Sequence, residues 1–144
     1  MFGQPAIVID NGSGTIKAGF ATKEGQQGPT IEFPSIIGRP RHKSLNQIGG
    51  RPDAIFVGAE AEAKRGILKC SYPVEKGYVK NTQDTYLLWL EALRMLPDGM
   101  AKVKDTGLVL TEPPLNSWKN REELVELALE KLQAAGVSLQ VQVC

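Results

Sequence analysis

The stretch Ala6-Ile7-Val8-Ile9-Asp10-Asn11-Gly12-Ser13-Gly14-Thr15-Ile16-Lys17-Ala18-Gly19-Phe20 decides how this chain folds. Ala6 to Ile9 is a short apolar, β-branched run. Asp10 to Gly14 is a turn-rich break, and Thr15 to Phe20 is a second run able to pair back. This order predicts a β-hairpin. The break also carries chemistry. Gly12 and Gly14 let backbone N–H groups approach an anion with no Cβ in the way. Ser13 adds a hydroxyl donor, Lys17 adds a cation, and Asp10 at the strand end suits a hydrated divalent cation. An ordinary hairpin turn also accounts for these residues, because Asn-Gly and Ser-Gly are common there. The segment is neither a Walker A loop nor a G-x-G-x-x-G fingerprint.

Outward from the hairpin, residues 22 to 30 are polar and turn-rich, a surface loop. Ile31 to Gly38 reads as a third strand that Pro34 bends or confines to an edge. Arg39 to Asp53 is basic, punctuated by Gly and Pro and without periodicity, so it reads as an exposed, mobile loop. Ala54 to Val57 is a short strand, and Ala59 to Arg65 a short helix ended by Gly66. Asn81-Thr82 caps a helix in which Tyr86, Trp89, Leu90, Leu93 and Leu96 recur at helical spacing, stopped by Pro97 and Gly99. Gly107 to Thr111 reads as a strand buried on both faces. Asn116 or Ser117 begins a long helix with Val125, Ala128, Leu129 and Leu132 as its stripe, closed near Gly136. Val137, Leu139, Val141 and Val143 then alternate with Ser138, Gln140 and Gln142 as a last strand. The order predicts a mixed α/β domain.

Composition narrows the function classes. The 144 residues leave room for one domain, with 42% hydrophobic and 23% charged residues, an ordinary globular profile. Seventeen basic against sixteen acidic side chains give a net charge of +1, so no overall field points to nucleic acid. No apolar run approaches the roughly 20 residues that span a bilayer. Met1 to Pro5 lacks the features of a secretory signal. Cys70 and Cys144 with one His cannot supply an ordinary zinc site. The expectation is a reduced, cytoplasmic chain.

Several motifs in register resemble the actin and actin-related family. Ile9 to Gly14 followed by Lys17-Ala18-Gly19-Phe20 resembles its first phosphate loop. Phe33-Pro34-Ser35-Ile36-Ile37-Gly38-Arg39-Pro40-Arg41-His42 is similar to the stretch leading into its DNase-binding loop. Lys64-Arg65-Gly66-Ile67-Leu68, Tyr72-Pro73-Val74-Glu75 and Leu110-Thr111-Glu112-Pro113-Pro114-Leu115-Asn116 with Asn120-Arg121-Glu122 follow in the family's order. The resemblance implies the first half of the actin-like ATPase fold, a ribonuclease H-like α/β plan with a mixed sheet and flanking helices. It implies an incomplete subdomain 1 over residues 1–34 and 73–144, and a subdomain 2 over 35–72 with a mobile loop at 42–53.

The site residues that follow from the resemblance are specific. Asp10 is the magnesium-side acid, acting through water. Asp10, Asn11, Gly12, Ser13, Gly14, Thr15 and Lys17 hold the phosphates of ATP or ADP. Gln142 orients the attacking water. His42, Lys43, Ser44, Leu45, Asn46, Gln47, Ile48, Gly49 and Gly50 contact the next subunit of a filament. The implied partners are actin or actin-like subunits and actin-binding proteins, with no nucleic acid and no membrane span, in the cytoplasm and cytoskeleton.

The chain departs from the family pattern at several points. Lys76 stands where conventional actins carry a histidine, and Thr82 replaces a tryptophan. The loop from Gly25 to Pro29 is longer, and Pro113 and Ser117 differ. These changes mark a divergent member. The family's second phosphate loop and adenosine-binding segments are not in this sequence, so one wall of the cleft is present and little hydrolysis is expected from it alone. The alternative reading is a truncated, non-enzymatic actin-related subunit that docks on a partner. A sugar kinase or heat-shock chaperone shares the fold but lacks the Phe33-to-His42 and Leu110-to-Asn116 motifs.

Overall fold

A computed structural model of the chain describes residues 6–21, 30–41 and 54–142. The opening hairpin forms as its sequence predicts. Strand β1 (Ala6–Asn11) pairs antiparallel with β2 (Thr15–Ala21), with Asp10 opposite Lys17. Strand β3 (Ile31–Pro34) adds to β2, placing Glu32 opposite Lys17. On the other side of β1, β9 (Gly107–Glu112) and then β10 (Gly136–Val141) join in parallel. The resulting order is β10-β9-β1-β2-β3, a mixed five-stranded sheet.

The two faces of this sheet differ because the strands alternate. Ile7, Ile9, Ile16, Leu108 and Leu110 are buried in one apolar core with Leu88, Trp89, Leu93, Leu124 and Ala128. Those partners come from helix α2 (Thr82–Met95) and from α4 (Trp118–Glu126) with its continuation Leu127–Lys131. The opposite face carries Val8, Asp10, Lys17, Glu32, Thr111 and Gln140, none of them buried. Gly107 to Thr111 was expected to be covered on both faces. Instead Leu108 and Leu110 are buried while Val109 and Thr111 are half-buried, because the helices named above pack on one side only.

Both long helices start where their caps predict. The Asn81 side chain accepts the Asp84 N–H at 3.0 Å, and Ser117 accepts the Asn120 N–H at 3.0 Å. Their buried stripes are shifted from the predicted ones. In α2 the buried apolar face is Leu88, Trp89, Ala92 and Leu93, while Tyr86 and Leu90 lie half-buried on its flank. In α4 and its continuation Leu124, Ala128 and Leu132 are buried, Val125 is half-buried and Leu129 is exposed. A π-type turn at Leu127–Lys131 widens the helix there and turns its face. The helix ends at Gln133 in the left-handed region (φ 58°), short of Gly136, which begins β10.

Residues Ile31 to Gly38, expected as one strand, divide at Pro34. Strand β4 (Ile37–Pro40) belongs to a second sheet, between β5 (Phe56–Val57) and β6 (Leu68–Ser71). Helix α1 (Ala59–Ala63) covers it, and Ile36, Phe56, Ala61 and Leu68 form a small separate core. The structure also corrects the start of the expected loop. Arg39 and Pro40 are strand residues, and Arg41 Nε donates to the Leu68 carbonyl at 3.2 Å. Arg39 makes a fork to Asp84 at the start of α2, Nη1 to Oδ2 at 3.1 Å and Nη2 to Oδ1 at 2.6 Å. The hydrogen-bonded Asp84 carboxylate raises the Arg39 pKa against the lowering effect of partial burial. The rest of the expected loop, 42–53, lies outside the described residues.

Two short elements complete the chain. Strands β7 (Val74–Glu75) and β8 (Tyr78–Val79) form a hairpin whose turn residues, Lys76 and Gly77, both have positive φ (53° and 84°). That is the pattern of a tight two-residue connection. A short helix, α3 (Gly99–Lys102), follows α2 where no element was predicted.

Candidate functional site

Three parallel strands deliver their C-terminal ends to one place. β1 ends with Asp10 and Asn11, β9 with Thr111 and Glu112, and β10 runs into Gln142. Side chains at the carboxyl ends of parallel strands project beyond the sheet, where open α/β folds bind ligands. The Thr111 hydroxyl donates to Asp10 Oδ1 at 2.9 Å and accepts the Asn11 N–H at 2.8 Å. Gln142 Nε2 donates to the Asn11 carbonyl at 2.9 Å and to Thr111 Oγ1 at 3.2 Å. Asp10 and Gln142, distant in sequence, are thus joined through one hydroxyl.

The hairpin tip beside them is shaped by Gly12. A Cβ there would lie 2.3 Å from the Thr15 carbonyl oxygen, inside contact distance, so the tight return requires glycine. The Gly12 N–H donates to the Asp10 carbonyl at 3.1 Å. Gly14 has open space around it, and its carbonyl accepts the Ser35 N–H at 3.0 Å, which ties the β3–β4 crossing to the tip. Ser13 and Gly14 are exposed, and their N–H groups bond to no other described residue. Thr15 begins β2 and is half-buried.

Asn11 faces the other way. It is fully buried, its Oδ1 accepts the Trp89 indole N–H at 2.9 Å, and its Nδ2 donates to the Thr111 carbonyl at 3.3 Å. Its side chain therefore braces the loop from the core side and does not point into the cleft with Asp10. Gln142, which alternation alone places toward solvent, is instead half-buried and held. Gly77 packs against it: a Cβ on Gly77 would meet Gln142 Oε1 at 2.6 Å.

On the open face a polar row crosses the sheet in register, Gln140 beside Thr111, then Asp10, Lys17 and Glu32. Asp10, Lys17, Glu32 and Thr111 line a cavity of about 540 Å³. Lys17 forms no ion pair among the described residues, so its charge is available to an anion.

Sequence reasoning missed Thr111, Trp89 and Glu32 as site neighbours. For Thr111 a signal existed: the apolar run Gly107 to Leu110 ends in Thr111 as Ala6 to Ile9 ends in Asp10. The Leu110-to-Asn116 motif has a structural role as well. Glu112 is buried, with its Oε2 3.1 Å from Arg121 Nε and accepting Asn116 Nδ2 at 3.1 Å, which fastens α4 to the end of β9.

Comparison with known proteins agrees with this arrangement. The family model described as Actin matches residues 3–144, which takes in all three strand ends and the hairpin tip. The chain belongs to the actin family. It is similar to actin-related protein 2 of Drosophila melanogaster, 39% identical over an alignment of 139 residues that covers 90% of this chain. The match covers 33% of that relative, so the chain spans about a third of its length. The mixed sheet with helices packed on it is the first half of the actin-like fold. As an actin-family chain it also has no described helix long and apolar enough to cross a membrane.

The donor set fits magnesium and a polyphosphate, the ligands expected of the family. Among the described residues Asp10 Oδ2 accepts no hydrogen bond and can face a hydrated cation, and Lys17 and the Ser13 and Gly14 N–H groups can take phosphate oxygens. Of the nine residues expected to contact a filament neighbour, His42 to Gly50, none lies within the described residues.

Proposed function

We propose that this chain forms the first wall of an Mg-ATP cleft in a cytoskeletal actin-family protein. Magnesium supplies charge neutralisation at the phosphates, and the chain's own groups position it. Asp10 would hold the hydrated ion through Oδ2, which has no hydrogen bond among the described residues. Gly12, Ser13, Gly14 and Thr15 shape the tip so that backbone N–H groups meet phosphate oxygens, and Lys17 adds its charge from the adjacent register. Gln142 orients the attacking water near the terminal phosphate. The observation that carries this reading is the single hydroxyl of Thr111 joining Asp10 to Gln142.

The five-stranded and three-stranded sheets and the two apolar cores support a division into an incomplete subdomain 1 (1–34 and 73–144) and a subdomain 2 (35–72). Partners of this reading are actin or actin-like subunits, met through His42 to Gly50, and actin-binding proteins in the cytoplasm. Hydrolysis needs the second wall, so the chain alone binds nucleotide and turns it over little.

Calorimetric titration with Mg-ATP tests the proposal. Saturable binding is expected, weakened about tenfold or more when Lys17→Ala or Ser13→Ala removes a charge-assisted contact of roughly 1.5–3 kcal/mol. A folded chain indifferent to nucleotide, and co-purifying with another actin-like chain, would instead establish the docking-module reading.

A further inference from the structure

We infer that Thr111 is a positioning residue that sets both the direction of the Gln142 amide and the orientation of the Asp10 carboxylate. This rests on the reading of the hairpin wall as an Mg-ATP site. A hydroxyl has one proton to give and two lone pairs. The Asn11 N–H and the Gln142 Nε2 group can only donate, so both lone pairs of Thr111 Oγ1 are occupied, at 2.8 and 3.2 Å. Its one proton then goes to Asp10 Oδ1 at 2.9 Å. The hydroxyl has no remaining freedom, and the carboxylate is held at Oδ1, leaving Oδ2 without a hydrogen bond among the described residues.

The same logic fixes Gln142. Both Nε2 hydrogens have protein acceptors, the Asn11 carbonyl and Thr111 Oγ1. With the amide reversed, Gln142 Oε1 would face the Asn11 carbonyl oxygen, and neither could donate. Oε1 is therefore the free end, with the Cβ-less Gly77 beside it. A side-chain amide that offers only its oxygen can accept a hydrogen bond from water but cannot donate one to a phosphate. The role assigned to Thr111 is exercised through its two neighbours, Asp10 and Gln142.

The test uses the 144-residue chain labelled with ¹⁵N, and three substitutions. Thr111→Val keeps a β-branched side chain of similar size and removes the hydroxyl. Thr111→Ala is a second variant without the hydroxyl, and Thr111→Ser restores it. Two readouts are taken: the Gln142 side-chain NH₂ resonances without nucleotide, and ATP affinity with and without magnesium. In the valine and alanine variants the Gln142 NH₂ signals move toward those of a free glutamine amide. The magnesium-dependent gain in ATP affinity falls about fivefold, the loss of one net hydrogen bond, while metal-free ATP affinity stays constant. Serine recovers both readouts.

Unchanged Gln142 signals in either hydroxyl-free variant would overturn the inference. So would a serine variant as impaired as valine, because packing and not the hydroxyl would then be responsible. Failure of the wild-type chain to bind Mg-ATP strikes the nucleotide reading instead, and the NH₂ resonances still decide whether Thr111 holds Gln142.

Discussion

Gly12 and Gly14 look equivalent in the sequence, yet the structure asks different things of them. A Cβ at Gly12 collides with the Thr15 carbonyl oxygen at 2.3 Å, whereas one at Gly14 meets nothing within 4 Å. Gly12→Ala is expected to cost about 1–3 kcal/mol, the usual range for forced overpacking. It should also weaken Mg-ATP binding, because the tip must open. Gly14→Ala should remain within about 0.5 kcal/mol, as for surface changes generally. Denaturant titration of the two variants checks the contrast, and equal losses would show that the tip is not shaped by Gly12. The hairpin itself was legible because its information is local, a strand, a turn and a strand. The partners of its residues were not. Trp89 reaches Asn11 across 78 positions and Thr111 reaches Asp10 across 101, distances over which spacing carries no register.

Among the elements, β4 of the small sheet is tied to α2, which packs on the large sheet, by the fork between Arg39 and Asp84. Asp84 is buried at 7% side-chain exposure while Arg39 keeps 44%, so water screens one partner. Asp84→Ala is therefore expected to cost about 1–2 kcal/mol, below the range for a fully enclosed charged pair. Differential scanning calorimetry against the parent chain measures this. The raised Arg39 pKa gives the sign of its pH dependence. Its contribution is complete below the ordinary arginine value and is lost only as pH rises through the raised one, so neutral conditions leave it intact. Arg39 read as part of a basic loop because charge and nearby Gly and Pro outweighed the short strand pattern. Its partner lies 45 residues away. Helix starts were legible from Asn81 and from the Asn116–Ser117 pair, but the buried faces were set by packing on the sheet and, in the second helix, by a π-type turn.

At the level of the whole molecule, the sheet has helices on one face and a polar row on the other, with three parallel strand ends meeting beside the hairpin tip. Alternation was read only along the last strand, and Gly107 to Thr111 read as covered on both faces although its burial alternates. The convergence of Asp10, Thr111 and Gln142 depends on the order β10-β9-β1, which no single segment encodes. We propose that this convergence is a nucleotide-phosphate site. Backbone and side-chain amide shifts of ¹⁵N-labelled chain during Mg-ATP titration test it most directly, because they report weak binding and its location together. Shifts centred on Ser13, Gly14, Lys17, Thr111 and Gln142 are predicted, with residues of the small sheet unmoved. A titration that leaves those five unperturbed at millimolar Mg-ATP, or moves a different surface, would contradict it.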